Sequence, residues 1–398
     1  MTANLQFSDE WGMASGLNLW LREWVIFEQN SLLTIDEQYM QRCLQLAKLG
    51  AGHVAPNPMV GAVLVYEGRI IGEGYHREYG KAHAEVNCID SAILDGQEAL
   101  IHQSTLYVSL EPCAHFGKTP PCVDLIIRHK IPKVVVGCRD PFKEVNGRGI
   151  EKLRASGAGV ITGVLEKDCK ELNKRFFTFH IQHRPYIILK WAETADGFIA
   201  APLNPPGGGT FGDPANKRLL ISNEYTNRLV HKWRSEETAI LIGTNTVIND
   251  DPELTTRWWP GNSPARLVVD MHLRLPSFAK VFDRKVRTIV FNSIKHEEDE
   301  KLMYYQVTEE VSLVHQIVNA LYQLKIQSVF VEGGARLLQS FIDEGMWDEA
   351  RKISNRQLAI GNGLPAPQLI DNFKSEEINI LFDKTEIFKH SKPHTPIS

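Results

Sequence analysis

Apolar and polar positions in the first half of the chain alternate between helical spacing and short apolar runs. Apolar residues between Tyr39 and Ala47 recur at helical spacing up to Gly50, and Thr34 followed by Glu37 is a capping-box pattern that predicts the start of this helix. The segments that follow predict a β-hairpin, a helix, a strand, a helix and a strand, over 61–75, 82–92, 105–109, 122–129 and 133–137. Strands that alternate with helices after a hairpin predict an α/β domain with a mixed sheet.

The second half shows the same alternation of apolar strands and helical stretches. We interpret residues 180–185 as a junction between the two halves of the chain. The apolar run 186–190 predicts the first strand after this junction. Further apolar runs predict strands over 239–243, 266–270, 288–291 and 328–332. The proline- and glycine-rich segment 202–209 predicts a loop. These patterns indicate a second α/β domain.

The composition is that of an ordinary globular protein and narrows the function. The chain has 398 residues, of which 43% are hydrophobic and 23% are charged, so two domains with cores of their own are expected. A formal net charge of −4 offers no general basic surface for nucleic acid or an anionic membrane. No apolar run reaches the roughly 18–20 residues of a membrane span. We therefore expect a cytoplasmic protein that binds neither nucleic acid nor membrane.

The six cysteines are too few for a secreted disulfide scaffold. Four of them lie in predicted helices or strands, where free cysteine packs as a small hydrophobic residue: Cys43, Cys88, Cys138 and Cys169. The tryptophan-rich residues 1–34 are taken as an N-terminal extension, and their sequence predicts no function.

His83, Cys113 and Cys122 have the residue types and the setting of a catalytic zinc site. One imidazole and two thiolates leave the fourth position of a tetrahedral zinc ion open for water. Glu85 follows His83 by two residues, so it can move a proton from a zinc-activated water to a leaving amine. The pattern H-x-E, followed by P-C and a second cysteine, is the signature of zinc deaminases.

Two other interpretations of these residues stay open. Eight residues separate Cys113 from Cys122, where two are usual, so a core histidine with two buried cysteines is one alternative. A structural zinc in an interaction protein is the other, and it needs a fourth ligand that the sequence does not offer. His115 is not taken as a ligand, because a fourth protein ligand would close the site.

The loop from Cys113 to Cys122, with the sequence CAHFGKTPPC, closely resembles the bacterial bifunctional deaminase–reductases of riboflavin biosynthesis. Three earlier motifs resemble the same family in the same order, at 56–61, 72–76 and 82–85. The resemblance extends over about 36–368 and therefore covers both halves of the chain.

This resemblance implies an α/β chain with two enzyme domains. A cytidine-deaminase-like domain is expected over 35–180 and a dihydrofolate-reductase-like domain over 181–398, with Zn²⁺ and NADPH as cofactors. The implied substrate is a phosphorylated pyrimidine, 2,5-diamino-6-(5-phosphoribosylamino)pyrimidin-4-one. Zinc-bound hydroxide would attack its C2 and Glu85 would relay protons as ammonia leaves. NADPH would then reduce C1′ of the opened ribose, which gives the ribitylamino product. Assembly into a homo-oligomer is left open.

By the same resemblance, four residues of the first half hold the pyrimidine or position the loop: Asn57, His76, Lys118 and Thr119. Three of them also have a structural interpretation. Asn57 lies between two prolines and can shape a turn, His76 can end a strand, and Lys118 can be a solvated loop charge.

The second half lacks the glycine pattern of a Rossmann dinucleotide site. The nearest match, residues 361–366, has Pro365 where a helix should begin. The turn at 331–335 is the better phosphate site, because glycines admit a ligand to the backbone and a helix start offers free N–H groups. The resemblance implies NADPH contacts from Ala192, Leu220, Thr246, Asp250 and Gly334.

The resemblance also implies substrate contacts in the second half, from Lys190, Arg234, Leu254, Arg257 and Glu332. Two arginines suit bidentate binding of a ribose phosphate, although each could instead form a surface ion pair. Lys190 could assist opening of the ribosylamine or polarise C1′, or it could instead be another phosphate contact. The chain departs from the family at 216–223, where Arg218 and Leu220 align with a serine and a tryptophan.

Two alternative functions remain. A nucleic-acid-editing deaminase with an accessory domain would need a basic channel with interleaved aromatic residues, and the net charge of −4 argues against one. A deaminase whose second half is a non-catalytic binding module is the other alternative, and the departure near Arg218 is the feature that favours it.

Overall fold

The computed structural model of the chain describes residues 33–116, 120–142, 144–202 and 219–391. The predicted loop at 202–209, apart from Pro202, and nearly all of the N-terminal extension lie outside these ranges. The helices and strands of the first half are α1 (Ile35–Ala47), β1 (Gly61–Tyr66), β2 (Arg69–Tyr75), α2 (Ala84–Leu94), β3 (Thr105–Leu110), α3 (Cys122–Arg128), β4 (Lys133–Cys138), α4 (Arg148–Ala155), β5 (Gly159–Thr162), α5 (Glu166–Leu172) and α6 (Lys174–Gln182).

Local sequence signals explain the start of this first domain. The predicted capping box is confirmed, because the Thr34 side chain accepts the Glu37 backbone N–H and the Glu37 carboxylate accepts the Thr34 backbone N–H. The helix ends at Ala47, and a 3₁₀ turn occupies Lys48–Gly50. The predicted hairpin forms β1 and β2 around the turn at Glu67 and Gly68.

The first sheet has the order β2-β1-β3-β4-β5. Strand β1 is antiparallel to β2 and β3, whereas β3, β4 and β5 run parallel. The predicted mixed sheet is therefore confirmed. One apolar cluster packs α2 and α3 against this sheet, and another packs α1 and α5. Because β3 and β4 are parallel, the loops that follow them emerge at the same edge of the sheet. Cys113 lies in the loop that follows β3.

The predicted junction at 180–185 is helical in its first part, because α6 continues to Gln182. Phe176 and Phe179 on α6 are buried, and this apolar face holds the segment in a helix. The expected domain boundary between residues 180 and 181 therefore falls inside α6, and it stays a prediction.

The second half is built on a larger sheet. Its helices and strands are β6 (Tyr186–Glu193), β7 (Phe198–Ala200), α7 (Glu224–Glu236), β8 (Ala239–Gly243), α8 (Thr244–Asp250), β9 (Ala265–Val269), β10 (Thr288–Asn292), β11 (Glu297–Glu298), β12 (Leu302–Gln306), α9 (Leu313–Gln323), β13 (Ser328–Val331), α10 (Ala335–Asp343), β14 (Glu349–Asn355), β15 (Leu364–Pro365), β16 (Asn372–Ile380) and β17 (Asp383–His390). The predicted second α/β domain is thus present.

The larger sheet has the order β11-β12-β10-β9-β8-β13-β6-β14-β17-β16. Its strands from β12 to β14 in this order are parallel, and β11, β17 and β16 are antiparallel to their neighbours. The central strands are buried, as their apolar sequences predict. Among the described residues, no helix combines the length and the apolar character needed to cross a bilayer.

The two halves contact each other directly. Arg175 of α6 forms an ion pair with Glu237, and Lys174 Nζ lies 2.7 Å from a carboxylate oxygen of Glu349. A Cβ atom on Gly52 would lie 2.5 Å from the carbonyl oxygen of Ser235, so the loop after α1 touches the end of α7. These contacts fix the first sheet against the second.

The packing of α1 on β1 generates a stability prediction. A Cβ atom on Gly61 would lie 2.0 Å from the carbonyl oxygen of Cys43, so a side chain there forces the helix away from the sheet. Gly61→Ala should lower the free energy of unfolding, measured by urea denaturation, by about 3 kcal/mol.

Gly159→Ala in β5 is the matched control. The nearest atom to its new Cβ is the Pro132 carbonyl oxygen at 3.6 Å, which is an ordinary contact, so the change should stay below about 0.5 kcal/mol. Equal effects of the two substitutions would contradict the close packing of α1 on β1.

Candidate active sites

Three predicted metal ligands come together at the edge of the first sheet. His83 immediately precedes α2, Cys113 follows β3, and Cys122 is the first residue of α3. The Nδ1 atom of His83 lies 3.6 Å from the Cys113 sulfur and 3.3 Å from the Cys122 sulfur. All three donor atoms lie within 4.8 Å of one another.

These distances fit a tetrahedral zinc ion. Bonds of about 2.3 Å to sulfur and 2.0–2.1 Å to nitrogen place neighbouring ligands roughly 3.5–3.8 Å apart. No other His, Cys, Asp or Glu of the described ranges belongs to the cluster, so three protein ligands leave one position open. A hydrogen bond from the Cys122 thiol, together with the His83 imidazole, lowers the pKa of Cys113 well below the usual value of a thiol, and a thiolate is the form that binds metal.

Glu85 lies beside this cluster in the first turn of α2. Its side chain is buried and faces the same cavity as His83 and Cys113. Burial raises the pKa of Glu85 to about 7, and the nearby Cys113 sulfur acts in the same direction. A carboxyl group in this position can accept and return a proton near neutral pH.

Asn57 and His76 contact each other at the side of the cluster. The Ala82 carbonyl lies 3.0 Å from Nδ1 of His76 and can only accept, which places the ring proton on Nδ1. Nε2 of His76 then accepts from the Asn57 amide nitrogen at 3.1 Å. The Asn57 amide oxygen is thereby turned away from His76. Lys118 and Thr119, the other two expected contacts, lie outside the described residues.

A cavity of about 640 Å³ connects these residues. His83, Glu85 and Cys113 line it, and so do residues that the sequence did not single out. Many of these additional lining residues come from the loops after β3 and β4, from α6, and from the second half of the chain: Glu111, Asp140, Phe142, Phe176, Phe179, His180, Tyr322, Gln323, Lys325 and Gln327.

Glu111 organises the wall of the cavity behind Cys113. Its buried carboxylate accepts backbone N–H groups from Gly147 and Gly149 at 3.0 Å each, and from Asp140 and Ile150 at 3.3 Å. These bonds tie the loop after β4 to the end of β3, so they hold Cys113 in place through the chain. A glutamate before a Pro-Cys pair was the available sequence signal, but its partners come from a distant loop.

In the second half, three of the expected substrate contacts form a buried ion cluster. Glu332 follows β13, and its carboxylate lies 3.1 Å from Lys190 Nζ on β6 and 2.7 Å from Arg234 Nη2 on α7. Burial alone would raise the pKa of Glu332, but the charges of Arg234 and Lys190 outweigh it and hold the pKa at about 2. Glu332 therefore stays charged and fixes both cations.

The other two expected substrate contacts differ in exposure. Leu254 is buried in the apolar cluster beneath α7. Arg257 lies at the surface, where its guanidinium is 3.9 Å from Glu253 and 5.1 Å from the centre of the Trp258 ring. The surface ion pair that the sequence left open for Arg257 is therefore present, whereas Arg234 is buried.

Two of the expected NADPH contacts, Thr246 and Gly334, lie at the turn between β13 and α10. Gly333 packs on Thr246, since a Cβ on Gly333 would lie 2.9 Å from the Thr246 side chain. Gly334 has φ of 78°, and no side chain caps the N–H groups at the start of α10. Unpaired N–H groups at a helix start fit the phosphates of a dinucleotide.

The remaining expected NADPH contacts are less closely grouped. Ala192 is half-buried on β6, and Asp250 is exposed at the end of α8. Leu220 is 71% exposed and lines a separate shallow cavity with Asn355 and Phe382. Arg218 lies outside the described residues.

Comparison with known proteins agrees with this arrangement. Residues 33–138 match the cytidine and deoxycytidylate deaminase zinc-binding region, and residues 185–365 match the RibD C-terminal domain. The riboflavin biosynthesis protein RibD of Aquifex aeolicus is 43% identical over 82% of this chain and 90% of its own length. That of Escherichia coli is 33% identical over 79% and 86%, respectively. The chain belongs to the RibD family.

Solved structures of RibD proteins have the same fold over nearly their full length. A diaminohydroxyphosphoribosylaminopyrimidine deaminase/5-amino-6-(5-phosphoribosylamino)uracil reductase from Thermotoga maritima superposes with a TM-score of 0.77 at 34% identity, covering 89% of this chain and 99% of its own. RibD from Acinetobacter baumannii gives 0.77 at 28% identity, covering 89% and 98%.

Membership of the RibD family confirms the main expectations from the sequence. The chain is a bifunctional enzyme of riboflavin biosynthesis, with a cytidine-deaminase-like domain followed by a reductase domain. Zinc and NADPH are the cofactors of these two domains, and the cluster of His83, Cys113 and Cys122 is the candidate zinc site. The alternative of a non-catalytic second half is not favoured.

The buried ion cluster generates a pH-dependent prediction. Glu332→Gln should lower the free energy of unfolding at pH 7 by roughly 3 kcal/mol, because it leaves Lys190 and Arg234 buried beside a neutral side chain. The folded-state pKa of about 2 lies below the ordinary value of 4.5, so the wild-type advantage is fully present above pH 4.5 and is lost as the pH falls towards 2.

Urea denaturation of both proteins between pH 7 and pH 3 measures this difference. Glu310→Gln is the control, since Glu310 is exposed and forms no ion pair with a described residue. A constant gap between wild type and Glu332→Gln over the whole pH range would show that the Glu332 charge is not the stabilising element.

Proposed function

We propose that the first domain deaminates 2,5-diamino-6-(5-phosphoribosylamino)pyrimidin-4-one and that the second reduces the ribosyl group of the product to ribityl. The observation that carries the first step is the placement of Glu85 and three metal-binding side chains in one cavity. The name of the Thermotoga maritima relative, which describes both activities, supports the sequence of the two steps.

In the deaminase site, zinc would be held by His83, Cys113 and Cys122. It would lower the pKa of a bound water towards neutral pH. Glu85 accepts the proton of that water and passes it to the leaving amino group, so that ammonia departs as a neutral molecule. The Asn57 amide oxygen, turned away from His76, accepts a hydrogen bond from the pyrimidine and orients the ring. By resemblance to the family, Lys118 and Thr119 are assigned to binding the pyrimidine or positioning the loop.

In the reductase site, NADPH supplies hydride and would be held by the start of α10 with Thr246, and by Ala192, Leu220, Asp250 and Gly334. Lys190 is held 3.1 Å from the Glu332 carboxylate, and its side chain polarises C1′ of the ribose. Arg234 and Arg257 bind the ribose phosphate.

Leu254 packs beneath the substrate in this assignment. The domain division that goes with it is 35–180 for the deaminase and 181–398 for the reductase, after an extension over 1–34.

Replacement of Glu85 tests the proton transfer. Glu85→Gln removes the group that carries the proton but none of the metal ligands, so the purified variant should keep its zinc and lose roughly 10²–10⁴-fold in the rate of ammonia release. Asp90→Asn on the exposed face of α2 is the matched control and should behave as the wild type. Unchanged ammonia release by Glu85→Gln would refute the assignment.

The second step is tested by separating the two activities. Zinc-depleted protein supplied with the deaminated substrate should still oxidise NADPH, followed by the loss of its near-ultraviolet absorbance, because the second site contains no zinc ligand of the cluster. The same preparation should release no ammonia from the diamino substrate. Failure of both the zinc-depleted and the zinc-loaded protein to oxidise NADPH would favour a binding role for the second half.

A further inference from the structure

The deaminase cavity is closed on one side by the reductase domain. Tyr322, Gln323, Lys325 and Gln327, between the end of α9 and the start of β13, line the same cavity as the metal ligands. This stretch, which we call the 322–327 wall, belongs to the second half of the chain in sequence and to the first active site in space.

Direct contacts fix the 322–327 wall in position. The buried Gln327 side chain donates to the carbonyl oxygen of Pro56 at 2.8 Å, next to Asn57. The Tyr322 ring lies 4.8 Å from the ring of Phe179 on α6. The first contact is made to the loop that contains Asn57, a proposed substrate contact. The second is made to an aromatic residue that lines the cavity, so the wall is part of the folded site.

The aromatic side of the cavity is continuous between the two domains. The rings of Phe142 and His180 are 5.1 Å apart, and those of His180 and Phe179 are 5.4 Å apart. Tyr322 extends this row to the 322–327 wall. At about 640 Å³, the cavity has room beyond a pyrimidine ring, and the ring must lie beside the metal ligands if it is to react. The aromatic row lines the space that then remains for the rest of a substrate.

Charge is distributed unevenly along the cavity. Its carboxylates are buried: Glu85, Glu111 and Asp140 have relative exposures of 3%, 4% and 7%. Its lysines, Lys81 and Lys325, are exposed at the opening, and neither forms an ion pair with a described residue. The described part of the opening therefore offers two cations to an anion that enters from solvent.

We propose that Lys325, supplied by the reductase domain, binds the phosphate of the substrate in the deaminase site, with Lys81 as a second cation. The inference rests on the proposed function, because that function provides the phosphate. It makes the 322–327 wall a specificity-determining part of the first site, so deamination of a phosphorylated substrate depends on the second domain.

The test compares the phosphorylated substrate with its dephosphorylated form, which keeps the same pyrimidine and ribose. Lys325→Gln in the full-length zinc enzyme should raise the KM of ammonia release roughly tenfold for the phosphorylated substrate, and less than twofold for the dephosphorylated one. Lys325→Arg should keep the low KM, because it keeps the charge. The kcat should change little, since the phosphate lies away from the reacting carbon.

Lys130→Gln provides a matched control for the charge and the backbone. Lys130 is also exposed, also follows a helix with positive φ (53°, against 58° for Lys325), and does not line the cavity. Its KM values should equal those of the wild type. A second measurement needs no variant: added salt should raise the wild-type KM for the phosphorylated substrate alone, and by less in Lys325→Gln.

The outcomes separate the inference from the proposed function. If the wild type releases no ammonia from the phosphorylated substrate, the proposed function fails and the role of Lys325 with it. If the wild type is active but Lys325→Gln raises both KM values equally or neither, the reaction stands and Lys325 is not the phosphate ligand. A KM increase in Lys130→Gln equal to that in Lys325→Gln would likewise overturn the assignment.

Discussion

The first active site depends on holding two sulfur atoms and one imidazole nitrogen within 4.8 Å of one another in a largely buried place. Thiolates and a buried carboxylate so close together repel one another, and a divalent cation converts that repulsion into attraction. The fold provides the geometry by starting α2 and α3 and ending β3 at one edge of the first sheet. Glu111 then ties the loop after β4 to the same place through four backbone N–H groups.

In the second site, the buried charges are balanced by side chains alone. Glu332 is buried between Lys190 and Arg234, and each charge is stable there only because the others are present. Strand β13 lies between the two sites. Gln327 precedes it and contacts the deaminase loop, whereas Glu332 follows it in the reductase site, roughly 16 Å further along an extended strand. The two ends of one strand therefore contribute to the two sites.

The features that could be predicted from the sequence are those that depend on short-range signals. The capping box at Thr34, the hairpin, the mixed sheet and the family all follow from local patterns, and the candidate zinc ligands are recognisable because metal chemistry restricts residue types. Lys325 and Gln327 carry no such signal, because their role comes from packing between domains more than 200 residues apart in sequence. The helical start of the predicted junction was missed for a related reason, since the apolar face of α6 is defined by what it packs against.

X-ray absorption spectroscopy at the zinc edge of the purified full-length protein tests the central claim most directly. The account predicts about one zinc per chain, with two sulfur neighbours at about 2.3 Å and two nitrogen or oxygen neighbours at about 2.0–2.1 Å, one of them exchangeable water. Protein that contains no zinc, or zinc surrounded by four protein ligands with no bound water, would contradict it.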